Sequence, residues 1–255
     1  MRIALTIAGR DSGAGAGIQG DLKTFAAHSV YGTSAITAVT AQNSLGVTMA
    51  EALPADLVTA QIEAVVSDFG VHAAKTGMLP NAAIVEAVCA AIRDLDIPLL
   101  VVDPVMIAKS GDRLVDDEAL AMMKTELVGL AFLVTPNIPE AEALSNIEIR
   151  TDNDRKEAAR RIVEMGASAV VIKGGHFPTP DITDLLFHEG EFLEFRQPRV
   201  PGTHTHGTGC TFAAAIAAHL AKGHDVRAGV EGAQHYVAQA IRHAPNLGRR
   251  HGPLG

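Results

Sequence analysis

The chain has 255 residues, 47% of them hydrophobic, which is enough to bury a full core and excludes a disordered chain. Its net charge of −8, its few aromatic residues and its lack of Trp argue against a broad nucleic-acid surface, while leaving room for one small anion held by local amides and a metal ion. The two cysteines make no disulfide framework, no apolar run reaches the ~18 residues of a membrane span, and the opening Arg2–Ala8 run is too short for a signal peptide, so a reduced cytoplasmic protein is expected.

In chain order, Ile3–Ala8 is a short β-rich apolar run, predicted as a buried strand. A glycine-rich loop follows over Gly9–Gly17, then a helix over Ile18–Ala27 with Ile18, Leu22 and Phe25 on one face. Ser34–Ala41 is a strand ending at Gln42-Asn43, and Pro54–Asp68 a helix with Pro in its first turn. His72–Met78 is a strand, and Asn81 can cap a helix to Arg93. Leu99–Val102, Ala131–Thr135 and Ser168–Lys173 are further strands, with helices over Asp116–Leu127, Pro139–Leu144 and Asn153–Met165 between them. A hairpin is predicted across Glu189-Gly190, and two helices close the chain, Thr208–Lys222 and Asp225–His243. Continuously apolar strands alternating with helices point to a parallel sheet covered on both faces. With no linker or composition shift, residues 1–255 read as one three-layer α/β domain.

Such sheets bind ligands at the carboxyl ends of their strands. The residues there are Asp11 with the glycine loop, Gln42 and Asn43, Thr76-Gly77-Met78, Asp103, Asn137 with Glu140, and Lys173. Each has a plain structural alternative. Asn137-Ile-Pro-Glu140 fits a capping box, Asp103 can simply end a strand, and Lys173 can be a surface lysine. Together, two carboxylates and a lysine beside a glycine-rich anion site suit Mg²⁺-assisted phosphate chemistry. The anion site is His204-Thr-His-Gly-Thr-Gly-Cys210, a bare turn that opens an alanine-rich helix. Its free N–H groups and the helix dipole would attract an anion and favour a Cys210 thiolate; alternatively it is an ordinary helix start and Cys210 a small core residue.

Two other patterns carry less. Gly15-Ala-Gly17-Ile-Gln-Gly20 matches a dinucleotide fingerprint, but the first strand ends well before it and the second ends in Gln42-Asn43, not in an acid. His204 and His206 lie two apart in a loop, with nothing nearby to complete a zinc set.

The stretches Thr6–Thr24, Thr40–Asn43, Lys75–Leu79, Val102–Met106, Thr135–Glu140, Lys173–His176 and His206–Cys210 follow one another in an order and spacing that resembles the hydroxymethylpyrimidine and hydroxymethylpyrimidine-phosphate kinases of thiamine biosynthesis. The resemblance spans nearly the whole chain and implies a ribokinase-like α/β/α fold with a mainly parallel sheet. It implies ATP and Mg²⁺ as cofactors and a small pyrimidine as substrate. Asp21 and Gln42 would hold the pyrimidine and its hydroxymethyl group, with Gly9, Met78 and Val105 lining the pocket. Lys173 would contact the nucleotide phosphates, and Asp103 and Glu140 would organise Mg²⁺ largely through water. Gly207, Thr208, Gly209 and Cys210 would form the anion hole for the transferred phosphoryl group. Cys210 stands where sugar kinases of this fold carry a catalytic Asp, as a base or as a positioning residue. Homodimers are common in this fold. Arg10, Ala14 and Gly20 depart from the family pattern at the pocket rim only. Competing expectations are a pyridoxal kinase of the same superfamily, a non-catalytic nucleotide-binding module, and a nicotinamide oxidoreductase suggested by Gly15–Gly20.

Overall fold

The computed structural model describes residues 1–107, 111, 114–175, 179–202, 204–250 and 252–255; His176, quoted above, lies outside them. The order of elements is β1 (Ile3–Asp11), α1 (Gly17–Ala27), β2 (Tyr31–Asn43), β3 (Gly46–Ala52), α2 (Ala55–Phe69), β4 (Ala73–Thr76), α3 (Ala82–Asp94), β5 (Leu100–Val102) and α4 (Asp117–Met122). There follow β6 (Leu133–Val134), α5 (Ile138–Ser145), α6 (Asp152–Glu164), β7 (Ala169–Ile172), β8 (Asp181–His188), β9 (Glu191–Pro198), α7 (Thr208–Ala221) and α8 (Val226–Arg242). The helix expected to reach Leu127 continues beyond α4 as a π-helical turn over Met123–Leu127, which keeps both of those side chains buried.

One nine-stranded sheet runs in the order β3-β2-β1-β4-β5-β6-β7-β8-β9. The strands from β2 to β7 are parallel, and β3, β8 and β9 add to its two edges antiparallel. Alternation along each strand separates two cores. Leu5, Ala74, Val102, Val134 and Val170 face α2 to α6. Ala4, Ala73, Val101, Leu133 and Ala169 face α1, α7 and α8. This is the expected three-layer α/β/α architecture. The alanine-rich run becomes the buried helix α7, because Ala213, Ala214, Ala215, Ala217 and Ala218 are all 0% exposed and small enough to let it lie close to its neighbours.

Two features extend the reading from sequence. β1 continues through Gly9 to Asp11, with a register shift against β2 between Ala8 and Arg10. β3 was not anticipated, because in this mostly exposed edge strand Val47 and Met49 are scattered among Gly, Thr, Ala and Glu and form no apolar run. The chain leaves β1 for β2 on one side and returns to β4 on the other, so a topological switch point opens at the carboxyl ends of β1 and β4.

Candidate active site

The switch point holds a row of alternating charges. Asp21 on α1 is fully buried, and its Oδ2 lies 2.9 Å from Lys75 Nζ on β4, a side chain also at 0% exposure. Lys75 Nζ lies 4.0 Å from Asp103 Oδ2, just past β5. Asp103 Oδ1 lies 3.2 Å from Lys173 Nζ at the end of β7, and Lys173 Nζ is 4.0 Å from Glu140 Oε2 on α5. Buried charges persist only when compensated, and here each lysine is shared between two carboxylates. Burial alone would lower the lysine pKa values, but Asp21 beside Lys75 and Asp103 beside Lys173 hold both above the usual range.

Glu140 belongs both to a helix cap and to this row. Its Oε2 accepts the Asn137 N–H at 2.8 Å while its own N–H donates to Asn137 Oδ1 at 2.9 Å, a reciprocal capping box. The same carboxylate faces Lys173 and Asp103. Burial, opposed by Lys173 and reinforced by Asp103, pushes it up to about 7. Asp103 Oδ2 is buried with no hydrogen-bond partner. A carboxylate oxygen without a hydrogen bond, beside a second carboxylate that resists ionisation, is chemistry suited to a hard divalent cation. Among the described residues no group of three His, Cys, Asp or Glu side chains could hold a metal, so phosphate and water oxygens would complete the shell. That fits Mg²⁺, which keeps several waters, better than Zn²⁺.

The anion turn lies at the same end of the sheet. Gly207 is the N-cap of α7 at φ +85°, and no side chain caps the helix. A Cβ at Gly207 would overlap the Gly15 carbonyl oxygen, so the turn is seated directly on the glycine loop. The Thr208 hydroxyl donates to Thr205 O at 3.1 Å, and the amides of Gly209 and Cys210 belong to a first turn that has no preceding carbonyls to accept them. A Cβ on Gly209 would stand 3.4 Å from Lys173 Nζ, which brings the lysine over the turn. Cys210 is half-buried. The thiolate expected at this helix start is not favoured in the free protein. Burial pushes the thiol up to about 11, and Lys75 only partly opposes this.

The glycine loop is already filled from within. The Asp11 carboxylate accepts the N–H groups of Gly13 at 2.8 Å, Gly15 at 3.1 Å and Ala16 at 2.9 Å, and its Oδ2 lies 2.8 Å from His206 Nε2. Burial would raise the Asp11 pKa, but His206 and these amides hold it below the usual range. The amides that a dinucleotide pyrophosphate would need are therefore occupied by Asp11. His206 ties this loop to Gly207.

The remaining expected residues fall into two groups. Gly9 and Met78 face one another, with Met78 Sδ 3.3 Å from where a Gly9 Cβ would stand. Val105, half-buried, donates its N–H to Asp103 O at 2.8 Å. Gln42 sits apart at the end of β2, accepting from the Thr40 hydroxyl at 3.1 Å and held by backbone bonds to Ser12. Asp21 is buried below Lys75: Thr6 Oγ1 donates to its Oδ2 at 2.6 Å, and Lys75 Nζ donates to both carboxylate oxygens, at 2.9 and 3.2 Å. Its carboxylate is 0% exposed and held by Thr6 and Lys75. Lys75 was missed as a site residue. Its signal was a lysine inside an apolar strand, which must be paired to be buried.

A family model described as phosphomethylpyrimidine kinase matches residues 11–255. The chain belongs to the phosphomethylpyrimidine kinase family. It is 49% identical over 251 residues to the hydroxymethylpyrimidine/phosphomethylpyrimidine kinase of Bacillus subtilis, covering 98% of this chain and 93% of that one. Among solved structures it is similar to phosphomethylpyrimidine kinase of Clostridium difficile, with TM-score 0.85 and 39% identity over 94% of this chain and all of that one. It is also similar to a Bacillus subtilis pyridoxal kinase solved as an ADP complex, with TM-score 0.92 and 37% identity over 100% of this chain and 97% of that one. The protein is a phosphotransferase of the ribokinase-like fold.

Proposed function

We propose that this chain, as one kinase domain over residues 1–255, transfers the γ-phosphoryl group of ATP to hydroxymethylpyrimidine and then to its monophosphate, as a step of thiamine biosynthesis in the cytoplasm. The observation that carries the reading is the convergence of an uncapped glycine turn, Lys173 and the Asp103–Glu140 pair on one point of the cleft. Mg²⁺ held by Asp103 and Glu140 would supply positive charge at the phosphoryl oxygens. The amides of Gly209 and Cys210 and the Lys173 ammonium stabilise negative charge as it develops, without covalent change to the protein. Gly9, Met78 and Val105 line the pocket for the flat pyrimidine ring, and Gln42 closes its outer side. Cys210 stands at the turn to receive the alcohol proton. With its thiol pushed up to about 11, it is a neutral group in the free protein and acts as base only once the ligands have changed its surroundings.

A second copy of the chain would dock on the β2–β3 arm, where Val39, Leu45 and Met49 are exposed on the sheet edge. The kinship with pyridoxal kinases favours one alternative, phosphorylation of pyridoxal, which also carries a hydroxymethyl group on a six-membered nitrogen ring. ADP formation with Mg-ATP and each alcohol tests both readings. The first requires a higher kcat/KM for the pyrimidine, a preference for pyridoxal would reverse the assignment, and no ADP with either would leave a non-catalytic binding module.

A further inference from the structure

Behind Lys173 lies a polar group that the site described above does not use. Asp184 on β8 is 4% exposed. Its Oδ1 accepts the Gly174 N–H at 2.8 Å, and its Oδ2 accepts from Gln234 Nε2 at 3.0 Å. Gln234, on α8, is itself buried and donates also to Phe195 O at 3.0 Å. Gly174 has no space for a side chain, since a Cβ would overlap the Thr183 carbonyl oxygen. On its other side the Lys173 N–H donates to Pro136 O at 2.9 Å. The main chain at Lys173 is therefore pinned twice, by the end of β6 and by the Asp184 carboxylate.

A buried carboxylate is a demanding way to end a strand, because its charge must be compensated. Burial raises the Asp184 pKa, and the Gly174 amide, Gln234, Lys173 and Arg155 oppose that rise. The lysine charge thus favours the ionised carboxylate across the Lys173–Gly174 peptide. We infer that Asp184, held by Gln234, is a positioning residue for Lys173: it fixes the backbone from which the lysine reaches over the Gly207–Cys210 turn, so that the ammonium is preorganised where phosphoryl charge develops. Preorganisation of this kind matters because a charged group that must be reoriented during reaction loses much of its stabilising effect. Asp184 touches neither nucleotide nor alcohol and acts only through the lysine. This inference rests on the phosphate-binding role proposed for Lys173.

The test is a double-mutant cycle with Asp184→Asn and Lys173→Met, read by kcat, by KM for each substrate and by ADP affinity from calorimetry. Asp184→Asn is nearly isosteric, and Gln234→Met gives an independent perturbation if that variant folds poorly. Lys173→Met should lower kcat by roughly 10²–10³-fold, the scale of removing one donor to a developing oxyanion. Asp184→Asn should lower kcat by roughly tenfold and weaken ADP, with KM for the alcohol unchanged, and should have no further effect once Lys173 is Met, as expected of coupled residues. Gln234→Met should show the same dependence on Lys173 with a smaller loss. Equal losses in both backgrounds would overturn the inference and leave Asp184 a purely structural group. If Lys173→Met changes neither turnover nor ADP affinity, the role of Lys173 and the inference fall together.

Discussion

The Lys75–Asp21 pair offers the clearest quantitative test of how the cleft floor is built. Both side chains are 0% exposed and 2.9 Å apart, and Asp21 has Thr6 as its other side-chain partner. Lys75→Met keeps the length and volume of the side chain but strands a carboxylate in the core. Breaking a buried pair in this way costs about 3–5 kcal/mol, a large part of the roughly 5–15 kcal/mol by which domains are stable. At ~2–4 °C per kcal/mol for a chain of this size, the melting temperature should fall by roughly 6–20 °C. Removing both charges should behave differently. In Asp21→Leu/Lys75→Met no charge is left unpaired, and stability should return to within ~1–2 kcal/mol of the parent, the remainder being the orphaned Thr6 hydroxyl. Urea titrations of the parent, the two single variants and the double variant would measure this. A Lys75→Met loss below ~1 kcal/mol, or a double variant whose loss is the sum of the two singles, would refute the view that the pair is a mutually compensated charge couple.

Cys210→Ala should cut kcat by roughly 10²–10⁴-fold while leaving pyrimidine binding intact, as calorimetry would record; turnover near the parent value would exclude an essential proton acceptor at this position. Glu140 supplies a pH signature. Its folded-state pKa near 7 exceeds the unfolded value of 4.5, so its contribution to stability is fully present below pH 4.5 and is lost as pH rises toward 7, by about 3 kcal/mol over that window. Glu140→Gln should abolish that part of the slope in denaturation measured between pH 4.5 and 7.5, and should raise the Mg²⁺ concentration needed for half-maximal rate. An unchanged metal response would leave Glu140 with its capping role alone.

The fold was legible because its signals are repetitive. Apolar strands between amphipathic helices can be read anywhere in the chain, and the capping box at Asn137–Glu140 announces itself in four residues. The strand-end polar residues were legible as a set, since topology brings them to one edge. What escaped was whatever depends on which groups compensate which. Asp21 reads from the sequence as a ligand contact, and only the fold shows that Lys75 and Thr6 are its partners. Asp11 stood beside the glycine loop in the sequence, but only folding shows that its carboxylate fills that loop and reaches His206. A thiol at a helix start suggested a thiolate, and its burial reverses the balance. β3 escaped for a simpler reason, since a mostly exposed edge strand has little hydrophobic pattern to read.

The seating of Gly207 on the Gly15 carbonyl has a consequence for folding. The hole's two walls are main-chain segments from nearly opposite ends of the sequence, and their contact leaves no space for even one methyl group. Such a contact has very high sequence separation, and its loop-closure entropy is repaid only when the intervening sheet has already brought the two ends together. The turn at the start of α7 therefore takes its final shape only once the sheet has brought it against the glycine loop.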